Sequence, residues 1–414
     1  MPRVILPVIL LAALAGCSDA REVDPLDADL ALVGATVYPA PGAEPIVDGV
    51  ILVDHGLIAA VGMRDSLVPP PTARVLDVSG TIITAGFWNA HVHFTEPRWQ
   101  GADTALSDSL SAGLAEMLLR YGFVRVVDTG SDLENTLALR RRIAAGDVDG
   151  PAILTTGPGF VPEMGNPYYL APLQLPELSR GADARRAVRG MLGDGADAIK
   201  LFTSSWTHPD TIAVMSAAVV RSAVAAAHAR GATVIAHASE DVGAGIAVEA
   251  GVDVLAHTFP AERSGPWDRS LPAKMHAASV ALIPTLSLWP WELHRAGLDS
   301  AVAATMAVAR DQVRACLEAG VSIVFGTDVG YMTEYDPRAE YRELTAAGLE
   351  FADILTALTT APAAAFGVSD VTGRIEPGFD ADLVVLDRDP ARSIDALASV
   401  RLVMRRGQVI FSAP

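Results

Sequence analysis

The sequence predicts an α/β protein in which a (β/α)8 barrel of the TIM type carries a small β-sandwich domain built from both chain ends. Between Ile82 and Gly367, eight short apolar runs alternate with alanine-rich helical segments. The segments on either side are β-branched and alternating, and Gly, Pro and Asp interrupt them as they do strands. An open doubly wound sheet is the alternative, but no glycine-rich phosphate-binding fingerprint follows the first apolar run.

The N-terminus, MPRVILPVILLAALAGC, has the pattern of a secretory signal peptide over residues 1–17. Arg3 precedes an apolar stretch from Val4 to Ala15 that is too short to span a membrane. The ending at Cys17 resembles the lipobox of bacterial lipoproteins, which implies a lipidated cysteine; an uncleaved anchor or a chance cysteine is the alternative. Residues 18–29 are polar and acidic, as in a tether. We expect a lipid-anchored, periplasm-facing protein of the bacterial cell envelope, or a secreted one if the anchor is absent.

The net charge limits the classes of partner that the protein can bind. The net charge of −18, from 49 acidic and 31 basic residues, repels nucleic acid and anionic lipid, so membrane contact is expected through the N-terminal anchor only. A homo-oligomer is compatible with the sequence. With the Cys17 sulfur lipidated, Cys316 is the one remaining free thiol, so the mature chain cannot form an internal disulfide.

Strand-like segments at both ends define the expected domains. Residues 30–81 and 368–414 are predicted to pair into the composite β domain, and residues 82–367 to form the barrel. The eight apolar runs of the barrel are GFWNAHVHF, FVRVVDTG, PAILTTGP, DAIKLF, TVIAHA, VDVLAHT, ALIPTL and SIVFGTD.

Polar side chains stand at the ends of five of these runs, where a barrel of this kind builds its active site. They are His91, His93, Lys200, His237, His257 and Asp328. Because strand side chains alternate, His91 and His93 point the same way, and one metal ion could accept both. A lone H-x-H motif is weak evidence for a metal site, but together with the polar residues at the later strand ends it predicts one.

The motifs HVH, IKLF, AH (twice) and GTD, in this order, resemble those of the metal-dependent amidohydrolase superfamily. The likeness extends from Asp29 to Phe411 and is nearest to Xaa-Pro dipeptidases and imidazolonepropionase-like hydrolases. It implies two divalent metal ions, usually zinc. His91, His93 and Asp328 would hold the more buried ion, and His237 and His257 the second. Lys200 would bridge them as a carbamate formed with carbon dioxide; an ammonium beside a mononuclear site is the alternative.

The same resemblance implies a hydrolase that uses a metal-bridging hydroxide to cleave an amide bond in a small peptide-like or N-acyl substrate. Asp328 would be the catalytic proton shuttle as well as a ligand. A lactone, cyclic amide or ester hydrolase with the same site is the first alternative. A lipid-anchored binding protein that has lost catalysis is the second, although all six ligand positions are filled by suitable residues.

Substrate-binding candidates lie in the loops after the strands. The long loop after the third run offers Tyr168 and Tyr169, with simple hydrophobic cover as an equal alternative. Trp206 and His208 follow Lys200, where loop packing is the alternative. Arg338, in the segment after Asp328, could pair with a substrate carboxylate or form a surface salt bridge.

Overall fold

The structure is a computed structural model that describes residues 25–260 and 266–414. The predicted signal peptide, the lipidation candidate Cys17 and most of the tether lie outside the described residues. Within those two ranges, no helix combines the length and apolar character needed to cross a membrane.

Among the described residues the strands, labelled β1 to β19 in chain order, are Leu30–Val37, Ile46–Asp54, Leu57–Met63, Arg74–Asp77, Ile82–Ala85, Phe87–Val92, Phe123–Asp128, Ala152–Thr155, Val161–Pro162, Glu177–Leu178, Ala198–Phe202, Ser204–His208, Thr211–Val214, Thr233–His237, Val254–Ala256, Ala281–Ile283, Leu383–Leu386, Val400–Arg405 and Gln408–Ser412. The α-helices, labelled α1 to α11, are Ser107–Met117, Leu133–Ala144, Gly181–Gly193, Ala217–His228, Asp241–Ala250, Leu271–Ala277, Leu288–Arg295, Val302–Glu318, Arg338–Ala347, Phe351–Leu358 and Thr360–Ala365. Short 3-10 helices lie at Pro25–Asp27, Pro97–Trp99, Leu119–Tyr121, Tyr168–Leu170, Asp299–Ala301 and Ile394–Ala398.

Strands from both chain ends share one sheet in the order β19-β18-β17-β5-β1-β2-β3, with β4 paired to β1. The join is antiparallel, with Leu383 of β17 opposite Ala85 of β5. Strand β5 lies beyond residue 81, where the expected boundary falls, yet its hydrogen bonds place it in this sheet. A four-residue apolar strand next to Gly86 carries no local signal of which sheet it joins.

The composite sheet buries side chains on both faces, because successive residues of its strands point to opposite sides. Leu32 and Ile51 belong to one apolar cluster, together with Leu383. Val33 and Leu52 belong to another cluster. Burial of both faces explains why these strands are almost continuously apolar.

The central part contains two parallel sheets, β6-β7-β8 and β11-β14-β15-β16, whose strands alternate with helices. This confirms the predicted α/β class. Backbone hydrogen bonds continue past both sheet edges: Phe160 N–H donates to the Lys200 carbonyl at 2.9 Å, and Leu282 N–H donates to the Ser322 carbonyl at 2.9 Å. Ala90 N–H donates to the Phe325 carbonyl at 2.8 Å.

Side chains from the two parallel sheets also meet in one apolar cluster. Trp88 and Val127 come from the first sheet, and Ile235, Val254 and Ile283 from the second. All five are almost completely buried. The inward faces of the two sheets therefore share a core.

An arginine joins this central part to the composite sheet. Arg125 of β7 places Nη2 2.7 Å from Asp380 and Nε 2.8 Å from Asp382, which directly precedes β17. The guanidinium also lies over the Trp88 ring, 5.7 Å from its centroid. The Asp382 side chain is only 1% exposed, and burial raises the pKa of its carboxyl while the Arg125 charge lowers it.

Replacing Arg125 by Met should lower the free energy of unfolding by about 3 to 5 kcal/mol, because the buried Asp382 carboxylate loses its cation. Denaturant unfolding of the full chain measures this. The matched control is Arg401→Met, whose pair with Asp387 is about half exposed and should contribute less than about 1 kcal/mol. Equal losses in the two variants would contradict an electrostatic role for Arg125 at this contact.

Candidate metal centre and active site

The structure brings the six candidate ligands to one edge of the parallel sheets. His91 lies in β6, Lys200 in β11, and His237 at the last position of β14. His93 follows β6, and His257 follows β15 directly. Asp328 is held beside β6, because its N–H donates to the His91 carbonyl at 2.9 Å. Parallel strands deliver their carboxyl ends to one edge, so residues far apart in sequence meet there.

The imidazole rings form a continuous series. The His91 ring centroid lies 5.3 Å from that of His93 and 4.6 Å from that of His257, and His237 is 4.8 Å from His257. Asp328 faces this series: its Oδ1 is 2.8 Å from His93 Nε2 and 3.6 Å from His91 Nε2. Its Oδ2 is 3.9 Å from His257 Nδ1.

These residues fit a divalent metal. His91, His257 and Asp328 are all buried, and each offers a ligand atom within 4.8 Å of the others. Imidazole nitrogen and carboxylate oxygen are the donors that zinc and similar ions take in proteins. Within the described residues, His91 Nδ1 and Lys200 Nζ are buried without a hydrogen-bond partner. Buried polar atoms are rarely left so, which indicates a group that completes them.

The structure groups the candidate ligands in a way that crosses the expected division. The expectation assigns His257 to the second ion with His237, whereas His257, His91 and Asp328 offer ligand atoms that all lie within 4.8 Å of one another. His93 adjoins this group through Asp328. Because the Asp328 carboxylate lies near His91, His93 and His257, it can serve either arrangement. The assignment of the ligands to two separate ions therefore stays a prediction.

Burial controls the charges here. It lowers the pKa values of His91 and His257 well below the usual range, and that of His237 to about 3, so the rings are held neutral, the form that binds metal. Burial also lowers the pKa of Lys200 to about 7, against an opposing effect of the Asp328 charge. Burial thus favours the uncharged amine over the ammonium at this position.

Two candidate ligands have strained backbones. His257 and Asp328 both have φ of 70°, in the left-handed region that residues other than glycine rarely adopt. Gly330, two residues after Asp328, has φ of 95°, and a Cβ built on it would lie 1.8 Å from the His93 carbonyl oxygen. The turn after Asp328 thus packs directly on the backbone of His93.

Neighbouring polar groups orient His257. Its Nδ1 lies 2.7 Å from Thr285 Oγ1. Glu340, buried on α9, accepts hydrogen bonds from the next two backbone N–H groups, Leu286 at 2.8 Å and Ser287 at 2.7 Å. Neither Thr285 nor Glu340 was predicted from the sequence, because contacts across 28 residues, for Thr285, and across more than fifty, for Glu340, leave no local pattern.

Asp128 is a further residue that the sequence analysis missed. It ends β7, is completely buried, and accepts hydrogen bonds from Ser131, Thr136 and Thr155. Burial raises the pKa of its carboxyl, and these bonds and the nearby His93 lower it. The signal was available, since Asp128 stands at a strand end in FVRVVDTG as the ligands do in their runs.

The two tyrosine candidates lie on the ligand side. Tyr169 is partly buried, and the charge of Asp328 helps to raise the pKa of its phenol after the larger effect of burial. Tyr168 is half exposed and lies edge-on to Tyr169, with ring centroids 5.7 Å apart.

The other three substrate candidates differ in exposure. Trp206 is partly buried in β12. His208, in the same strand, is exposed, with Nδ1 2.8 Å from Asp210. Arg338 donates from Nε to Asp336 at 2.8 Å and is about half exposed. The described contacts of His208 and Arg338 are thus with neighbours in the chain rather than with the histidine series.

Comparison with known proteins gives the family. The amidohydrolase family model matches residues 82–410. An uncharacterized protein of Mycobacterium tuberculosis is 34% identical over 203 residues, 46% of this chain and 51% of that protein. The match thus spans about half the length of this curated relative.

Solved structures are similar over almost the whole chain. A putative prolidase from Bifidobacterium longum is 29% identical with a TM-score of 0.77, covering 93% of this chain and 95% of that one. A Xaa-Pro dipeptidase with bound methionine in its active site is 21% identical with a TM-score of 0.79, covering 93% and 100%, a likeness of fold. Because the family model matches well over half of this chain, the chain belongs to the amidohydrolase family.

Proposed function

We propose that this protein is a binuclear metal-dependent hydrolase that cleaves an amide bond in a small peptide-like or N-acyl substrate. The observation that carries the proposal is the buried group of His91, His257 and Asp328, with polar atoms that lack partners among the described residues. Membership of the amidohydrolase family supports the same chemistry. The dipeptidase and prolidase likenesses support a peptide-like substrate.

The proposal includes a closed (β/α)8 barrel in which the two parallel sheets are arcs of one ring. The backbone bonds from Phe160 to Lys200, from Leu282 to Ser322 and from Ala90 to Phe325 would be the closing contacts. The core shared by both sheets is what the interior of such a barrel contains.

The six ligand positions would hold two divalent ions, with zinc favoured by the donor set. When bound, the ions would supply Lewis acidity that activates water and polarises a carbonyl. Lys200 would join them as a carbamate, and its buried Nζ, without a partner in the described chain, supports this role. An ammonium there would repel the ions, so the uncharged amine is the compatible form.

Asp328 would carry the proton. Its Oδ1 lies closest to His93 and its Oδ2 faces His257, so the carboxylate stands at the centre of the ligand group. We assign it to accept a proton from the attacking water and to return that proton to the leaving nitrogen. The neutral histidines around it cannot compete as acids, because burial lowers their pKa values.

We also propose a cellular location: the enzyme is lipid-anchored in the bacterial cell envelope and faces the periplasm. The support is the sequence of residues 1–17 and its cysteine, Cys17.

Purified protein should contain about two zinc ions per chain, and Asp328→Asn should reduce amide hydrolysis by about a thousandfold or more, because the proton shuttle is lost. Elemental analysis and a screen of dipeptides, N-acyl amino acids, lactones and esters measure both. Asp183→Asn, on the exposed side of α3, is the control and should keep full activity. Protein that binds no metal, or that prefers lactones, would contradict the proposal.

Loss of the Thr285 hydroxyl should weaken metal binding about 10- to 100-fold, because His257 loses the group that orients its ring. Thr285→Val removes the hydroxyl at constant volume, and Thr285→Ser restores it. Titration calorimetry of the metal-free chain with zinc compares them. If the Val and Ser variants bind zinc equally, the hydroxyl does not orient the ligand.

A further inference from the structure

Four aromatic side chains on the ligand side form a continuous surface, which we call the aromatic wall: Tyr168, Tyr169, Tyr331 and Trp291. Each ring lies edge-on or steeply inclined to the next. The centroid distances are 5.7 Å from Tyr168 to Tyr169, 5.9 Å from Tyr169 to Tyr331, and 5.6 Å from Tyr331 to Trp291. These separations are typical of favourable aromatic pairs.

The wall stands at the edge where the ligands converge. Tyr168 and Tyr169 belong to the loop after β8, and Trp291 lies on α7 after β16. Tyr331 is in the turn after Asp328, with its N–H 3.3 Å from the Asp328 carbonyl. Because the Tyr169 ring lies 5.9 Å from that of Tyr331, the wall extends from the turn after Asp328 to the loop after β8.

One end of the wall is rigidly supported. The Tyr331 hydroxyl donates to Glu292, and Arg295 Nη2 donates to the Tyr331 oxygen at 3.1 Å and to Glu292 at 3.0 Å. The Arg295 guanidinium lies over the Trp291 ring at 4.7 Å. The ion pair of Glu292 and Arg295, both on α7, therefore holds the rings of Tyr331 and Trp291 in place.

Tyr169 differs from these supported rings. Its hydroxyl has no hydrogen-bond partner among residues 25–260 and 266–414, and the residue is partly accessible to solvent. It lies between the supported Tyr331 and the half-exposed Tyr168. A partly accessible ring beside Tyr331 can contact a bound molecule without disturbing the fold.

We propose that the aromatic wall is a specificity subsite, and that this enzyme prefers substrates with a planar aromatic group next to the scissile amide. The inference rests on the proposed amide hydrolysis. An aromatic group of the substrate can pack its ring edge against the ring faces of the wall. A saturated ring of similar size makes this contact less favourably. Tyr169 and Trp291 are then specificity-determining residues.

Binding to the metal-loaded chain tests the subsite without any turnover. Phenylalanine should bind about tenfold more tightly than cyclohexylalanine in titration calorimetry, because only its ring is planar. Tyr169→Leu and Trp291→Leu should each reduce this preference to less than about threefold. Tyr121→Leu is the matched control, since Tyr121 lies before β7, at the opposite edge, and should keep the preference.

Equal binding of the two amino acids, or an unchanged preference in both wall variants, overturns the inference. A change of oligomeric state in Tyr169→Leu, measured by light scattering, also overturns it and assigns the wall to an interface between copies.

Kinetics separate this inference from the proposed function. Phe-Gly and Gly-Phe are compared with their cyclohexylalanine counterparts, and a kcat/KM preference of about tenfold on one side of the bond is expected. Hydrolysis of all these dipeptides at equal rates overturns the subsite but leaves amide hydrolysis standing. Phenylalanine selectivity in binding, with no amide cleaved, overturns the proposed function and supports the subsite.

Discussion

The amine of Lys200 lies buried beside His91, His237 and Asp328, without a hydrogen-bond partner in the described part of the chain. An unsatisfied buried amine is costly, and a buried ammonium more so. The carboxyl edge of the parallel sheets is built to hold this group and its histidine neighbours out of water. Burial lowers the pKa values of these groups and so favours their neutral forms, and neutral imidazole is the form that binds a metal ion.

The same edge contains strain that the surrounding packing must offset. Left-handed backbone at His257 and Asp328 costs free energy at both positions. Support comes from outside the ligand group: Glu340 holds the turn that carries Thr285, and the Gly330 turn packs on the His93 backbone. Placement of the candidate ligands therefore depends on residues outside their own group.

The composite sheet supports the region of the candidate ligands indirectly. It pairs the chain ends and is tied to β7 by Arg125 and its two aspartates. β7 ends at the buried Asp128, beside His93, so the sheet and the ligand region share one rigid strand. The aromatic wall stands over the same region on three separate elements, which makes selectivity adjustable without moving the ligands.

The sequence alone predicted the α/β class, the family and the six polar residues at five strand ends, because parallel strands deliver their carboxyl ends to one edge whatever the helices between them contain. The tertiary structure decided what distant segments share. It placed β5 in the composite sheet, brought His257 within 4.8 Å of both His91 and Asp328, and brought Tyr169 against Tyr331. It also linked Glu340 to the turn at Thr285. These outcomes depend on long-range contacts and on single backbone angles, which leave no periodic trace in a sequence.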